Sequence, residues 1–267
     1  MKRLGLIAGN GKFPIMLANS AKDRDIEVIA VAFRGESSRR LEGIVDKIYW
    51  IGIGQMNRLF EIFSKENIKE AIMAGQIKPI HLFKPWIKKD ATMREFLRKV
   101  KDKRGDSLLK SLADKLKERG ITLLNSSFLL TENLAKEGTL TKISPDKKDW
   151  EDINFGKSIA KRIADLGIGQ TVVVKNKAIL AIESIEGTDK AIRRGSQLGK
   201  GTCIVVKVSK PQHDMRYDIP VIGLKTLKVL KKSKVKVLAV EAGKTLLIDK
   251  NKLIEGADRA GISIVGI

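Results

Sequence analysis

One cysteine, two histidines and few aromatic residues set the first limits on this 267-residue chain. A single thiol, Cys203, can form neither an internal disulfide nor a cysteine-built zinc site. Its setting, Thr202-Cys203-Ile204-Val205-Val206, reads as a small buried core residue. His81 and His213 alone cannot assemble a histidine-rich zinc or binuclear metallophosphatase centre. No Gly-x-Ser-x-Gly elbow is present to carry a nucleophilic serine. Aromatics make up 5% and fall mostly in apolar runs, which argues against the interleaving of rings and basic groups that nucleic-acid binding uses. No apolar run is long enough to span a bilayer. Met1-Lys2-Arg3 leads straight into the strand-like Leu4–Ala8, and Gly9, Asn10 and Gly11 then interrupt it too early for a signal-peptide core. The expectation is a soluble, cytoplasmic protein. Any hydrolytic chemistry must rest on carboxylates, an oxygen-liking cation and basic side chains.

What the chain has in excess is positive charge. Lys and Arg number 52 against 31 Asp and Glu, for a net +21. Such a balance favours anionic partners: nucleic acid, acidic lipid headgroups or a phosphorylated substrate. Lysine enrichment of the kind seen in heat-adapted proteins would produce the same number without any partner.

Apolar periodicity predicts two α/β domains, an N-terminal one over 1–145 and a C-terminal one over 146–267. In the first, Leu4–Ala8, Glu27–Phe33, Lys47–Ile51 and Ala71–Ala74 read as buried strands. Phe13–Ala21 and Gln55–Lys65 carry helix-period apolar residues between them. This alternation implies a Rossmann-like, mainly parallel sheet covered by helices. A basic helical middle follows, with Met93, Phe96, Leu97 and Val100 on one face, ringed by Arg94, Arg98, Lys99, Lys101, Lys103 and Arg104. That face is either a core stripe with a solvated rim or a membrane-surface contact. Asp106 is placed to cap a second helix closed by Gly120. The polar stretch Ser144–Asp149 reads as a linker. Beyond it, helices at Ile153–Leu166, Lys190–Leu198, Leu253–Ala260 and from Leu224 alternate with strands, as in a mixed sheet with helices.

Three segments carry candidate chemistry. Gly9-Asn10-Gly11-Lys12-Phe13-Pro14 follows a strand and opens a helix, so it is a tight turn or a phosphate cradle. Pro14 occupies the third glycine position of the dinucleotide fingerprint, and the second strand ends in Arg34 rather than an acid. A nicotinamide-dependent oxidoreductase is thereby disfavoured. Glu183-Ser184-Ile185-Glu186-Gly187-Thr188-Asp189 leaves a strand and turns into a helix. Thr188 or Asp189 suits a cap, while Glu183 and Glu186 look aimed at a cation. Lys210-Pro211-Gln212-His213-Asp214-Met215-Arg216-Tyr217-Asp218-Ile219-Pro220 packs both charge signs into one loop. Its Asp residues suit Mg²⁺ and its Lys210 and Arg216 suit phosphate oxygens, unless the loop is simply solvated. Gly243-Lys244-Thr245 is no P-loop, because the upstream glycine spacing is absent and a strand follows.

These segments, with Ala74-Gly75-Gln76-Ile77-Lys78-Pro79, Asp106-Ser107-Leu108-Leu109, Gly169-Gln170-Thr171-Val172-Val173-Val174, Glu241-Ala242-Gly243-Lys244-Thr245 and Ala260-Gly261-Ile262, are similar in order and spacing to one family. The chain resembles the bacterial UDP-2,3-diacylglucosamine pyrophosphatases of the lipid A pathway that are unrelated to calcineurin-like phosphoesterases. The likeness runs over nearly the whole chain. It departs at His213, where the family usually has Gln before the first Asp of the loop. The resemblance implies Mg²⁺-dependent hydrolysis to UMP and 2,3-diacylglucosamine 1-phosphate by two domains holding the lipid between them. It also implies a homodimer, peripheral to the inner membrane and with no nucleic-acid partner. It places catalysis on Asp214, Lys210 and Arg216, metal binding on Asp214, Asp189 and Asp218, and substrate contacts on Gly9, Asn10, Gly11, Lys12, Gly75, Gln76, Gln170 and Thr188.

Overall fold

The computed structural model describes residues 2–77, 87–100, 105–210 and 214–267. Contacts divide the chain into two units, one running to Leu130 and including Met215–Asp218, the other holding Thr131–Asp214 and Ile219–Ile267.

The first unit is built on five parallel strands, β1 (Arg3–Ala8), β2 (Glu27–Phe33), β3 (Lys47–Ile51), β4 (Glu70–Ala74) and β5 (Thr122–Leu123), in the order β3-β2-β1-β4-β5. β1 and β2 are buried along almost their whole length, as strands covered by helices on both faces must be. α1 (Phe13–Lys22) starts where Pro14 supplies a preset φ in the first turn. α2 (Met56–Lys65) buries Met56, Leu59, Phe60 and Phe63, the stripe expected from its spacing. Phe63 is fully buried, and Gly5 in β1 makes room for it: a Cβ there would stand 2.7 Å from Ile68 and 3.0 Å from the Phe63 ring. Truncating Phe63 to Ala would cost about 3–5 kcal/mol. α3 (Ala91–Lys99) buries Met93 and Phe96, so this face of the basic helix is core. Asp90 caps it by accepting the Met93 N–H at 2.7 Å. α4 (Gly105–Glu118) begins before Asp106, which therefore lies inside the helix instead of capping it.

The second unit carries a six-stranded mixed sheet in the order β6-β13-β11-β9-β7-β8. Its strands are β6 (Gly138–Thr139), β7 (Thr171–Lys175), β8 (Ala178–Ile182), β9 (Ile204–Lys207), β11 (Val237–Val240) and β13 (Ser263–Gly266). β10 (Val221–Ile222) and β12 (Leu246–Leu247) form a separate parallel pair. β7 and β8 make an antiparallel hairpin. Asn176 and Lys177 both take positive φ, and the buried Asp152 carboxylate accepts both of their N–H groups, at 2.8 and 2.6 Å. Helices α5 (Lys147–Asp165), α6 (Thr188–Leu198), α7 (Leu224–Lys232) and α8 (Lys250–Arg259) complete the unit. Cys203 is buried, and burial raises its thiol pKa.

Two readings of the sequence change here. Within Ser144–Asp149, read as a linker, Asp146–Asp149 forms the cap and first turn of α5. Asp146 accepts the Asp149 N–H at 2.9 Å, Asp149 accepts the Asp146 N–H at 3.0 Å, and Lys236 pairs with both carboxylates. The first unit ends at Leu130, before the expected boundary at 145. Gly138–Thr139 pairs antiparallel with β13, which assigns the intervening chain to the second sheet.

Candidate functional site

In the first unit, the chain leaves β1 toward β2 on one side and later fills β4 on the other. The carboxyl ends of β1 and β4 are thus a topological switch point, where open α/β sheets hold ligands. Gly9–Lys12 follows β1 directly, and Gly75–Gln76 follows β4. Their backbones are locked together: the Asn10 N–H donates to Gln76 O at 2.8 Å and the Gln76 N–H to Asn10 O at 3.3 Å. The Gly9 N–H donates to Ala74 O at 2.7 Å. The amides of Gly9 and Asn10 therefore serve the fold. The turn also offers the exposed side chains of Asn10, Lys12 and Gln76. Ser37, after β2, donates to Ala8 O at 2.6 Å and accepts the Phe33 N–H at 2.8 Å, which steadies the same edge.

Part of the polar loop belongs to this unit. The buried Ser126 donates its amide to Met215 O at 2.8 Å. Its hydroxyl lies 2.7 Å from Met73 O and 2.8 Å from Arg216 O. Tyr217 packs on the first unit's core. The Arg216 backbone is consequently held close to Met73, two residues before Gly75 near the end of β4.

In the second unit, a buried polar cluster gathers where β9 ends. Lys207 closes an otherwise apolar strand and is 8% exposed. Its ammonium donates to Thr188 Oγ1 at 2.8 Å, and Thr188 donates its proton to Glu183 Oε1 at 2.8 Å. Glu183 Oε2 stands 3.9 Å from Lys207 Nζ and accepts no hydrogen bond among the described residues. The N-cap of α6 is Gly187, with no side-chain cap, so neither Thr188 nor Asp189 caps it; they are its first two helical residues. Gln170 O accepts the Val208 N–H at 2.9 Å, bringing Gln170 to the same edge. Beside it, Glu241 accepts from Lys161 at 2.7 Å, from Lys244 at 2.9 Å, and from both the amide (2.8 Å) and the hydroxyl (2.7 Å) of Ser209. Burial pushes the Glu241 carboxyl pKa up, but these donors outweigh it and hold the group at about 2. Glu241 thereby fixes the residue that precedes Lys210.

Family models cover both units, one described as the LpxI N-terminal domain over residues 3–133 and one as the LpxI C-terminal domain over 136–265. The chain belongs to the LpxI family. A relative from Caulobacter vibrioides, the UDP-2,3-diacylglucosamine pyrophosphatase LpxI, is 28% identical over all of this chain and 98% of its own length. Among solved structures, the biotin carboxylase domain of the Hydrogenobacter thermophilus 2-oxoglutarate carboxylase aligns over 66% of this chain and 35% of its own, at 13% identity and a TM-score of 0.30. A phosphoribosylglycinamide synthetase from Anaerococcus prevotii aligns over 72% and 34%, at 14% identity and a TM-score of 0.27.

In this LpxI chain the sequence-predicted residues fall into two groups. Gly9, Asn10, Gly11, Lys12, Gly75, Gln76, Arg216 and Asp218 lie in the first unit; Gln170, Thr188, Asp189, Lys210 and Asp214 lie in the second. Lys210, Asp214, Arg216 and Asp218 are half-buried and each makes at least one polar or ring interaction. Pro211, Gln212 and His213 lie outside the described residues, as do Lys78, Pro79, His81 and the basic residues Lys101, Lys103 and Arg104. Among the described residues, no three of His, Cys, Asp and Glu stand close enough together to hold a metal ion. Oxygen donors in ones and twos still suit Mg²⁺, which keeps several waters and takes one or two carboxylates plus substrate phosphates. An open cleft at Glu132, Asn133 and Asp249–Lys252 holds none of the predicted residues. Lys207, Ser126 and Ser209 were missed by sequence reasoning. Only Lys207 left a signal there, a charge ending the apolar run Cys203–Val206.

Proposed function

We propose that this chain hydrolyses the diphosphate of UDP-2,3-diacylglucosamine, giving UMP and 2,3-diacylglucosamine 1-phosphate for lipid A synthesis. The observation that carries the reading is the match of both units, end to end, to a family whose Caulobacter relative bears that activity in its name. The strand-end placement of Asn10, Lys12, Gln76 and Arg216 supports it, because a diphosphate needs donors and positive charge at one sheet edge. The protein would work as a homodimer at the cytoplasmic face of the inner membrane, and among the described residues no helix is long and apolar enough to cross a membrane.

Asp214, with Asp189 or Asp218, would hold Mg²⁺, which neutralises diphosphate charge when bound. Lys210 and Arg216 neutralise charge developing on the phosphoryl oxygens. Water attacks the sugar-side phosphorus; its oxygen stays on the sugar phosphate, and UMP departs with the bridging oxygen.

Turnover in ¹⁸O-water tests the reading. Label in the lipid phosphate is expected, whereas label in UMP, or no hydrolysis of this substrate, would overturn it. Asp214→Ala should lower turnover by orders of magnitude while leaving the melting temperature close to wild type.

A further inference from the structure

The structure separates basic side chains that meet carboxylates from those that do not. In α3, Lys99 pairs with Glu95 at 2.6 Å and Arg94 donates to Lys89 O. Lys236 is held by Asp146 and Asp149, both at 2.9 Å. The lysines of α7 differ. Lys225, Lys228, Lys231 and Lys232 are all exposed, and none has a carboxylate within ion-pair distance among the described residues. From Gly223 to Lys236 the chain contains no Asp or Glu at all.

The opposite side of α7 buries Leu227 and Leu230 in the second unit's core, so the direction of the lysines is fixed by packing. Lys225, Lys228 and Lys232 recur at i, i+3 and i+7 and therefore share one face, roughly 10 Å long at 1.5 Å per residue. Folding alone does not account for them. Like charges at these spacings repel. Lys231 and Lys232 suit the negative end of the helix, but Lys225 sits in the first turn, where the helix dipole opposes a cation. Heat-adapted surfaces use lysine in networks of mixed sign, and this face carries one sign only.

We propose that α7 is the docking face of this protein for an anionic bilayer, its lysines pairing with lipid phosphate groups. A bilayer fits better than nucleic acid, since Gly223–Lys236 contains no aromatic residue on which a base could stack. The choice of a bilayer rests on the proposed lipid substrate, which has to be collected from a membrane.

Co-sedimentation with phosphatidylglycerol–phosphatidylcholine vesicles, without substrate, tests it. Each lysine near an anionic surface contributes roughly fivefold in affinity. Changing Lys225, Lys228, Lys231 and Lys232 together to Gln should weaken binding by about two to three orders of magnitude. Added salt should weaken the wild type likewise. Lys99→Gln, which removes a lysine already paired with Glu95, should bind as wild type. The proposal is overturned if the α7 variant sediments like wild type, if pure phosphatidylcholine binds equally well, or if the wild type retains RNA but not vesicles. It is also overturned if the α7 variant loses hydrolysis of detergent-dispersed substrate, since that would place these lysines at the reaction. Vesicle binding with no hydrolysis by the wild type would remove the proposed activity and leave the docking face standing.

Discussion

The hydroxyl of Ser126 lies 2.8 Å from the main-chain oxygen of Arg216, ninety positions further along the chain. The same hydroxyl reaches Met73 O at 2.7 Å, so one buried side chain sets Arg216 in register with the end of β4. Ser126→Ala leaves two carbonyls without that donor and should cost about 1–3 kcal/mol of stability. Because it lets Arg216 shift, turnover should fall by roughly 10- to 100-fold. Thermal melts and steady-state kinetics on the purified variant check both numbers. A less stable variant with wild-type turnover would detach this contact from the chemistry.

Two glycines of the switch point should respond very differently to alanine. Gly75 has φ +86°, and a Cβ there would stand 2.4 Å from Asn10 O and 2.9 Å from Pro14. Gly11 has φ +96° but nothing within 4 Å of the added atom. Gly11→Ala should lose only on the order of 1–2 kcal/mol, from backbone conformation. Gly75→Ala adds a backbone clash and should lose about 3 kcal/mol or more, breaking the Asn10–Gln76 bridge. Equal melting temperatures for the two variants would show that the turns are not locked together.

Acid should release the Glu241 network. Its carboxyl is held at about 2 when folded, against an ordinary value of 4.5, so the folded state binds its proton less readily than the unfolded chain. The stabilisation is therefore complete above pH 4.5, declines below it, and is gone once pH falls past 2. At neutral pH it amounts to on the order of 3 kcal/mol. Melting curves of wild type and Glu241→Gln should differ most near neutrality and converge as the buffer is acidified. A gap that stays constant with pH would exclude the carboxylate as its source.

Lys207 and Glu183 should prove energetically coupled. Lys207→Met leaves the Glu183 carboxylate in a largely buried site and should destabilise by about 3–5 kcal/mol. Adding Glu183→Gln removes that charge and should return about 1 kcal/mol or more. The double-mutant cycle on chemical denaturation gives the coupling directly. Strictly additive losses would mean that the 3.9 Å approach contributes nothing.

Much of the architecture could be read locally. Glu27–Phe33 and Lys47–Ile51 are strands over the expected residues, and Met56, Leu59, Phe60 and Phe63 form the expected buried stripe. Those signals are short-range, since burial on two faces or one stripe needs only the period of neighbouring side chains. The misreadings were also local in kind. Polarity at Ser144–Asp149 looks like a linker until Asp146 and Asp149 are seen exchanging hydrogen bonds across the first turn of α5. Asp106 looks like a cap until the helix is seen to begin ahead of it.

By itself the sequence determined the α/β class, the order of most helices and strands, the glycine turn, the acidic turn before α6 and the charge of α7. Each follows from residue types within one or two helical turns or one strand. Only the tertiary structure decided that Met215–Asp218 joins the first unit, because Ser126, Met73 and Arg216 meet through backbone oxygens that no side-chain pattern encodes. It alone decided that Lys207 serves Thr188, since strand β9 and helix α6 meet there through the packing of separate elements. It also decided which lysines are compensated. Lys99 and Lys236 meet carboxylates one helix turn away or at the start of α5, whereas those of α7, on the side away from the buried Leu227 and Leu230, have none within ion-pair distance among the described residues.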